Sequence, residues 1–160
     1  MDKKTTRALL ALIVKLGIVA AILAALLIFV FDIAPVHGNY MYPALRDGDL
    51  CITYKLAPLR LNDVVMYEQD GTTRFGRVVG LPGDEIVIDE EVFKINDLVP
   101  SESIFYPTTS ETGVRAEVGE GEVFLLNDFR SDDDDSRGYG CISQDELRGT
   151  VSFVFRRRGF

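Results

Sequence analysis

The alternation of apolar and polar positions divides the chain into two unequal parts. Ala8 to Phe31 is apolar apart from Lys15, and Leu16–Phe31 is an unbroken apolar run. As a helix rising ~1.5 Å per residue this stretch reaches ~36 Å, more than the ~30 Å hydrocarbon thickness of a bilayer. A cleaved signal peptide would carry a shorter apolar region, of about 7–15 residues, closed by small residues. Here the run closes on Phe29, Val30 and Phe31, so the pattern predicts an uncleaved transmembrane helix over residues 8–31. Lys15 lies two turns in, where its stem can snorkel to the nearer interface; the alternative is an intramembrane functional site. Beyond Val36 the long apolar stretch gives way to short β-like runs separated by turn residues. Asp63–Gln69 and Thr72–Val79 flank Asp70-Gly71, a two-residue hairpin signal. Leu81-Pro82-Gly83-Asp84 reads as a turn, with Gly80 and Gly83 suited to it. Glu85–Ile88 and Val92–Ile95 form a second candidate hairpin around Asp89–Glu91, and Val123–Leu126 is a short apolar strand. Thr150–Phe155 alternates, placing Val151, Phe153 and Phe155 on one face. Residues 99–121 are rich in Ser, Thr, Glu and Gly and read as a long surface excursion. There is no internal repeat. The expected architecture is mostly β: residues 1–7, a single N-terminal transmembrane helix over 8–31, and an all-β domain over 32–160.

Charge sharpens this division. The 160 residues carry 17 basic and 25 acidic side chains. Lys3, Lys4, Arg7 and Lys15 face only Asp2 in the first 31 positions, leaving 13 basic and 24 acidic residues beyond them. The positive-inside rule keeps the basic N-terminus in the cytoplasm, which makes the acidic domain extracytoplasmic and the address the plasma membrane. An acidic domain also argues against nucleic acid as a partner, since phosphates demand clustered cations. Cys51 and Cys141 are too few for a disulfide scaffold or a Cys-based zinc site, although the two could pair in an oxidising compartment. Asp132 to Asp135 lack the alternating oxygen ligands and glycine of a calcium loop and read as a solvated acidic loop. Arg156, Arg157 and Arg158 read as a basic tail, the alternative being a contact with anionic lipid. No metal and no cofactor is implied.

Four blocks in fixed order carry a family resemblance across essentially the whole chain. They are Gly38-Asn39-Tyr40-Met41-Tyr42-Pro43-Ala44-Leu45 with Asp47-Gly48-Asp49, Asn62-Asp63-Val64-Val65, Gly76-Arg77-Val78-Val79-Gly80-Leu81-Pro82-Gly83-Asp84, and Asn127-Asp128-Phe129-Arg130 leading to Asp135-Ser136-Arg137. Behind an anchor of the expected orientation, this arrangement resembles type I signal peptidase (S26). The resemblance implies a signal peptidase-type β domain in which Arg77, Asp135 and Arg137 are structural, the last two as an ion pair. It also implies a serine nucleophile and a lysine base, the lysine made neutral by burial. On this chain the serine position falls on Tyr40, the lysine position on Gly76, and the position of the serine that hydrogen-bonds the lysine on Asp133. A phenol titrating near ~10 is a poor attacker without a base, and Gly76 offers none. His37, three residues before Tyr40, reads as a surface residue, and Ser136 belongs to the structural block.

The resemblance therefore points to a non-catalytic member, with Tyr40, Met41, Tyr42 and Pro43 as candidates to line a peptide groove. Family members lacking the serine–lysine pair are associated with pilus assembly beside sortases. The implied function is a membrane-anchored chaperone or adaptor for pilin or another secreted polypeptide, with sortase as a further partner. Two alternatives stand beside it: an active signal peptidase with an unrecognised nucleophile, and a tethered scaffold without a peptide groove.

Overall fold

A computed structural model describes residues 3–89, 92–100 and 113–156. Helix α1 spans Lys3–Val30, and its apolar stretch is exposed from Leu9 to Phe29. Strand β1, Phe31–Pro35, follows without a linker. The helix stops one residue before the apolar run ends, because a distant residue takes its last carbonyls. The Lys55 backbone N–H donates to the Val30 carbonyl at 2.9 Å, and Lys55 Nζ donates to the Ile28 carbonyl at 3.1 Å. Lys55 Nζ also lies 3.5 Å from Asp32 Oδ2. A cation at a helix C-terminus answers both its unpaired carbonyls and its dipole.

The remaining strands are β2 Leu50–Tyr54, β3 Val64–Gln69, β4 Thr72–Gly80, β5 Glu85–Ile88, β6 Phe93–Ile95, β7 Val114–Glu117, β8 Glu122–Leu126, β9 Ile142–Ser143 and β10 Leu147–Phe155. A short helix, α2, covers Ser136–Tyr139. The main antiparallel sheet runs β1-β2-β10-β3-β4-β8-β9, and a smaller one runs β6-β5-β7. Both anticipated hairpins form. Asp70 (φ 50°) and Gly71 (φ 73°) both take the left-handed backbone that a type I′ turn requires, and β3 pairs with β4 from Gln69↔Thr72 to Val64↔Arg77. The mostly-sheet domain behind an N-terminal apolar helix is the expected fold class.

Strand β8 is buried on both faces. Val123 and Leu125 pack with Val65, Tyr67, Val78 and Ile142, while Phe124 and Leu126 pack with Val79, Ile86, Ile88, Phe93 and Val118, joining the two sheets. A third cluster, Val36, Met41, Leu45, Cys51, Met66 and Phe75, lies under the segment that leaves β1.

Three expectations differ from the structure. Val151, Phe153 and Phe155 do not share a face: the register slips between Val151 and Phe153. One extra residue reverses the alternation, so Val151 and Val154 reach the core while Phe153 and Phe155 are exposed. The Ser/Thr-rich stretch 99–121 is not wholly an excursion, since β7 within it pairs with β5 from Glu85↔Glu117 to Ile88↔Val114; residues 101–112 lie outside the described residues. Gly80 serves close packing rather than a turn, because a Cβ there would sit 3.0 Å from Ile86, Phe124 and Val118 side-chain atoms, whereas Gly83 does have positive φ. Cys51 and Cys141, whose pairing the sequence leaves open, are free thiols. Arg157 and Arg158 of the basic tail fall outside the described residues.

Candidate functional site

The site is assembled from three pieces of chain: the loop after β1, the first half of β4, and the segment from Asn127 to Tyr139. The first loop closes on itself. The Val36 N–H donates to the Asp49 carbonyl at 2.8 Å, the Gly48 N–H to the Val36 carbonyl at 2.9 Å, and the Gly38 N–H to Asp47 Oδ1 at 2.7 Å. Within it Tyr42–Pro43 is a cis peptide. The four residues read as groove-lining have different fates. Met41 is sealed in the core. Tyr42 is exposed with the Arg46 guanidinium 5.2 Å over its ring, and Pro43 is exposed. Tyr40 points inward, half-buried.

Tyr40 is held at both ends. Its carbonyl accepts from the Phe129 N–H at 2.9 Å, and its Oη accepts from the Phe75 N–H on β4 at 3.3 Å. The Arg74 guanidinium lies 5.5 Å over its ring and 5.6 Å over that of Tyr139, within cation–π range. Arg74 Nη2 donates to both the carbonyl and Oδ2 of Asp134, each at 2.7 Å, while Arg74 Nε is buried with no hydrogen-bond partner. Burial pushes the Tyr40 phenol above its ordinary pKa, opposed by the Phe75 amide and by Arg74. Tyr40 is therefore a neutral phenol at physiological pH, farther from a nucleophilic phenolate than a free tyrosine.

At Gly76 the space a side chain would need is taken. A Cβ built there would lie 3.1 Å from Leu125 Cβ and 3.3 Å from Tyr67 Cε1. Tyr67 is the diagonal cross-strand neighbour of Gly76, since Val65 pairs with Gly76 and Tyr67 with Arg74. Burial pushes the Tyr67 phenol up to about 12, with Arg74 working against it. Asp133, at the third departure from the family pattern, is half-buried and contributes its carbonyl as acceptor for the Asp135 N–H at 2.8 Å. His37 is exposed. Ser136 Oγ accepts from the Leu125 N–H at 3.0 Å, a structural role. Among the described residues no group of three or more His, Cys, Asp or Glu could hold a metal ion.

The supporting residues form a denser network. Arg137 and Asp135 make a buried two-pronged pair, Nε to Oδ1 at 2.9 Å and Nη2 to Oδ2 at 2.7 Å. Asp135 Oδ2 also accepts from the Asn127 N–H at 2.8 Å, and Arg137 donates to the carbonyls of Arg130 and Asp132. Arg77 grips Asp128 with Nε–Oδ1 at 2.5 Å and Nη2–Oδ2 at 2.6 Å and donates to the Asn62 carbonyl. These contacts lash the 127–137 segment to β8 and β4.

Sequence reasoning missed Arg74, Tyr67, Asp134 and Tyr139. A signal for two of them was present. The Asp70-Gly71 hairpin sets the register, which places Tyr67 opposite Arg74, and strand alternation puts both on the face of Gly76. Nothing local marks Asp134 or Tyr139, which arrive from a separate segment.

Comparison with known proteins gives the family. The family model described as "Signal peptidase, peptidase S26" matches residues 9–156. The chain is 32% identical over 158 residues to signal peptidase I of Bacillus licheniformis, covering 87% of this chain and 85% of that protein. It is likewise 32% identical over 158 residues to signal peptidase I T of Bacillus subtilis (strain 168), covering 87% and 82%. Among solved structures, a signal peptidase I from Enterococcus faecalis V583 aligns with TM-score 0.49 and 22% identity, covering 60% of this chain and 98% of that one. The match spans the anchor, the sheets and the Asp135–Arg137 segment, and the chain belongs to the signal peptidase S26 family.

Proposed function

We propose that this protein is a non-catalytic, membrane-anchored member of its family. In this reading it holds a secreted polypeptide, pilin foremost, as a chaperone or adaptor in pilus assembly, with sortase as a further partner. Its N-terminus is cytoplasmic and its β domain extracytoplasmic. One observation carries the non-catalytic reading. The residue at the nucleophile position is a neutral tyrosine whose oxygen is engaged by the Phe75 N–H, and the residue at the base position is a glycine crowded by Tyr67 and Leu125. Neither half of a serine–lysine pair is present, and loss of such members leaves small residual rates at best. The link to pilin rests on the resemblance to family members that lack the pair. A polypeptide as the thing held follows from the family's action on secreted precursors.

The test has two arms. The purified full chain in detergent is expected to leave an Ala-x-Ala signal-peptide substrate uncut at high protein concentration, and deletion in the host is expected to block pilus polymerisation while sparing general secretion. Cleavage that Tyr40→Phe abolishes would establish an active peptidase instead. The scaffold reading draws on one specific feature, the protein's own Tyr40 standing at the β4 edge. A chain that binds no peptide in any form would favour it.

A further inference from the structure

The two halves of β4 have different neighbours. From Arg77 to Gly80 the strand is flanked by β8. From Thr72 to Gly76 it pairs with β3 on one side, and among the described residues no strand lies on the other. In an antiparallel pair the N–H and C=O of alternate residues point to opposite edges. The Phe75 N–H points away from β3, since it donates to Tyr40 Oη, so the Phe75 carbonyl and the Thr73 amide and carbonyl face the same open edge. Thr72 and Thr73 are exposed there. An open strand edge is a template for another extended chain unless it is covered. At the Phe75 amide the cover is the Tyr40 hydroxyl, with the Asp134 segment folded over the neighbouring Arg74.

We propose that Tyr40 is an autoinhibitory latch on this edge. Its hydroxyl stands where the carbonyl of an added strand would stand, so an extended polypeptide takes the edge only by displacing the Tyr40 ring. Arg74 sets how firmly the latch is held. Its guanidinium spans the rings of Tyr40 and Tyr139 and is tied to an exposed Asp134, with Nε left unpartnered. That is a clamp with one unused donor and a solvent-facing counter-ion, suited to opening. The 3.3 Å Phe75 contact sits at the long end of N–H···O bonds, and a backbone carbonyl is a better-placed acceptor. The latch rests on the reading of the protein as a polypeptide holder and says how that holding is regulated.

The test uses the full chain in detergent, a fluorescein-labelled Ala-Lys-Ala peptide as probe, and hydrogen exchange at the Phe75 amide read by NMR of phenylalanine-labelled protein. Tyr40→Phe keeps the ring and removes the hydroxyl. It is expected to speed Phe75 exchange and to tighten peptide binding about fivefold, the size of one net hydrogen bond, with added peptide restoring protection at Phe75. Arg74→Gln leaves the hydroxyl and frees the ring, and should shift both readouts the same way. Equal peptide affinity in wild type and both variants, or unchanged Phe75 exchange, overturns the latch and leaves the holding function standing. Absence of binding in wild type, Tyr40→Phe and Tyr40→Ala alike overturns the holding function and the latch with it.

Discussion

The acidic run Asp132–Asp135 supplies two arginine partners that sit one residue apart in sequence and behave differently. Asp135 pairs with Arg137 at side-chain exposures of 1% and 0%, while Asp134 pairs with Arg74 at 58% and 18%. The first pair is saturated: both carboxylate oxygens and the guanidinium nitrogens Nε, Nη1 and Nη2 are hydrogen-bonded. The second leaves a buried Nε without a partner. A buried pair holds its segment because breaking it strands a charge away from water, whereas an exposed pair is replaced by solvent at little cost. Of two adjacent carboxylates, one is thus locked inside the domain and the other holds Arg74 from the solvent side.

This contrast is easiest to break at its stronger end. Asp135→Ala is expected to destabilise the domain by about 3–5 kcal/mol, since it leaves the Arg137 charge buried and unmatched. Urea unfolding in detergent measures this, and a loss no larger than that of Asp134→Ala would erase the distinction. Next comes the floor of the site. Gly76→Lys should lower stability by about 1–3 kcal/mol through overpacking against Tyr67 and Leu125, and Tyr40→Ser combined with it should still not cut a signal-peptide substrate. Turnover by that double variant would mean that the floor yields as readily as the clamp above it.

Alkaline titration gives a smaller effect. The Tyr67 phenol is raised to about 12 by burial, so the folded protein keeps this proton longer than the unfolded chain, whose tyrosines titrate near ~10. Its stabilising contribution is complete below about pH 10 and is lost as pH rises from there through about 12, on the order of 1–2 kcal/mol. Unfolding midpoints of wild type and Tyr67→Phe should therefore converge with rising pH, and parallel curves would refute the assignment. The smallest effect is Asp134→Ala, below about 1 kcal/mol in stability, with its consequence felt in the mobility of the Tyr139 ring, readable by NMR line shape.

Much of the sheet was legible because its signals are local. Asp70-Gly71 dictates a hairpin and its register, and the doubly apolar Val123–Leu126 run belongs at the centre of a core. Tyr40, Gly76 and Asp133 were visible in the sequence as departures inside motifs. What was not legible depends on contacts between distant segments. Phe31, the first residue of β1, still belongs to the apolar run of the helix, so periodicity cannot locate the switch to the strand, where Lys55 at the end of β2 takes the last helical carbonyls. The bulge between Val151 and Phe153 in the pairing with β2 reverses a perfect alternation that nothing local in the sequence contradicts. Arg74 looks like any exposed cation on a hairpin until the Asp134 segment is folded over it.

The junction at Val30–Phe31 has a mechanical meaning. Anchor and sheet share a backbone with no intervening residue, and Lys55 ties the last helical turn to the end of β2. The domain is joined to its helix without the slack of a flexible stalk. The distance of β4 from the end of the apolar helix is thereby set by the fold rather than by the length of a linker.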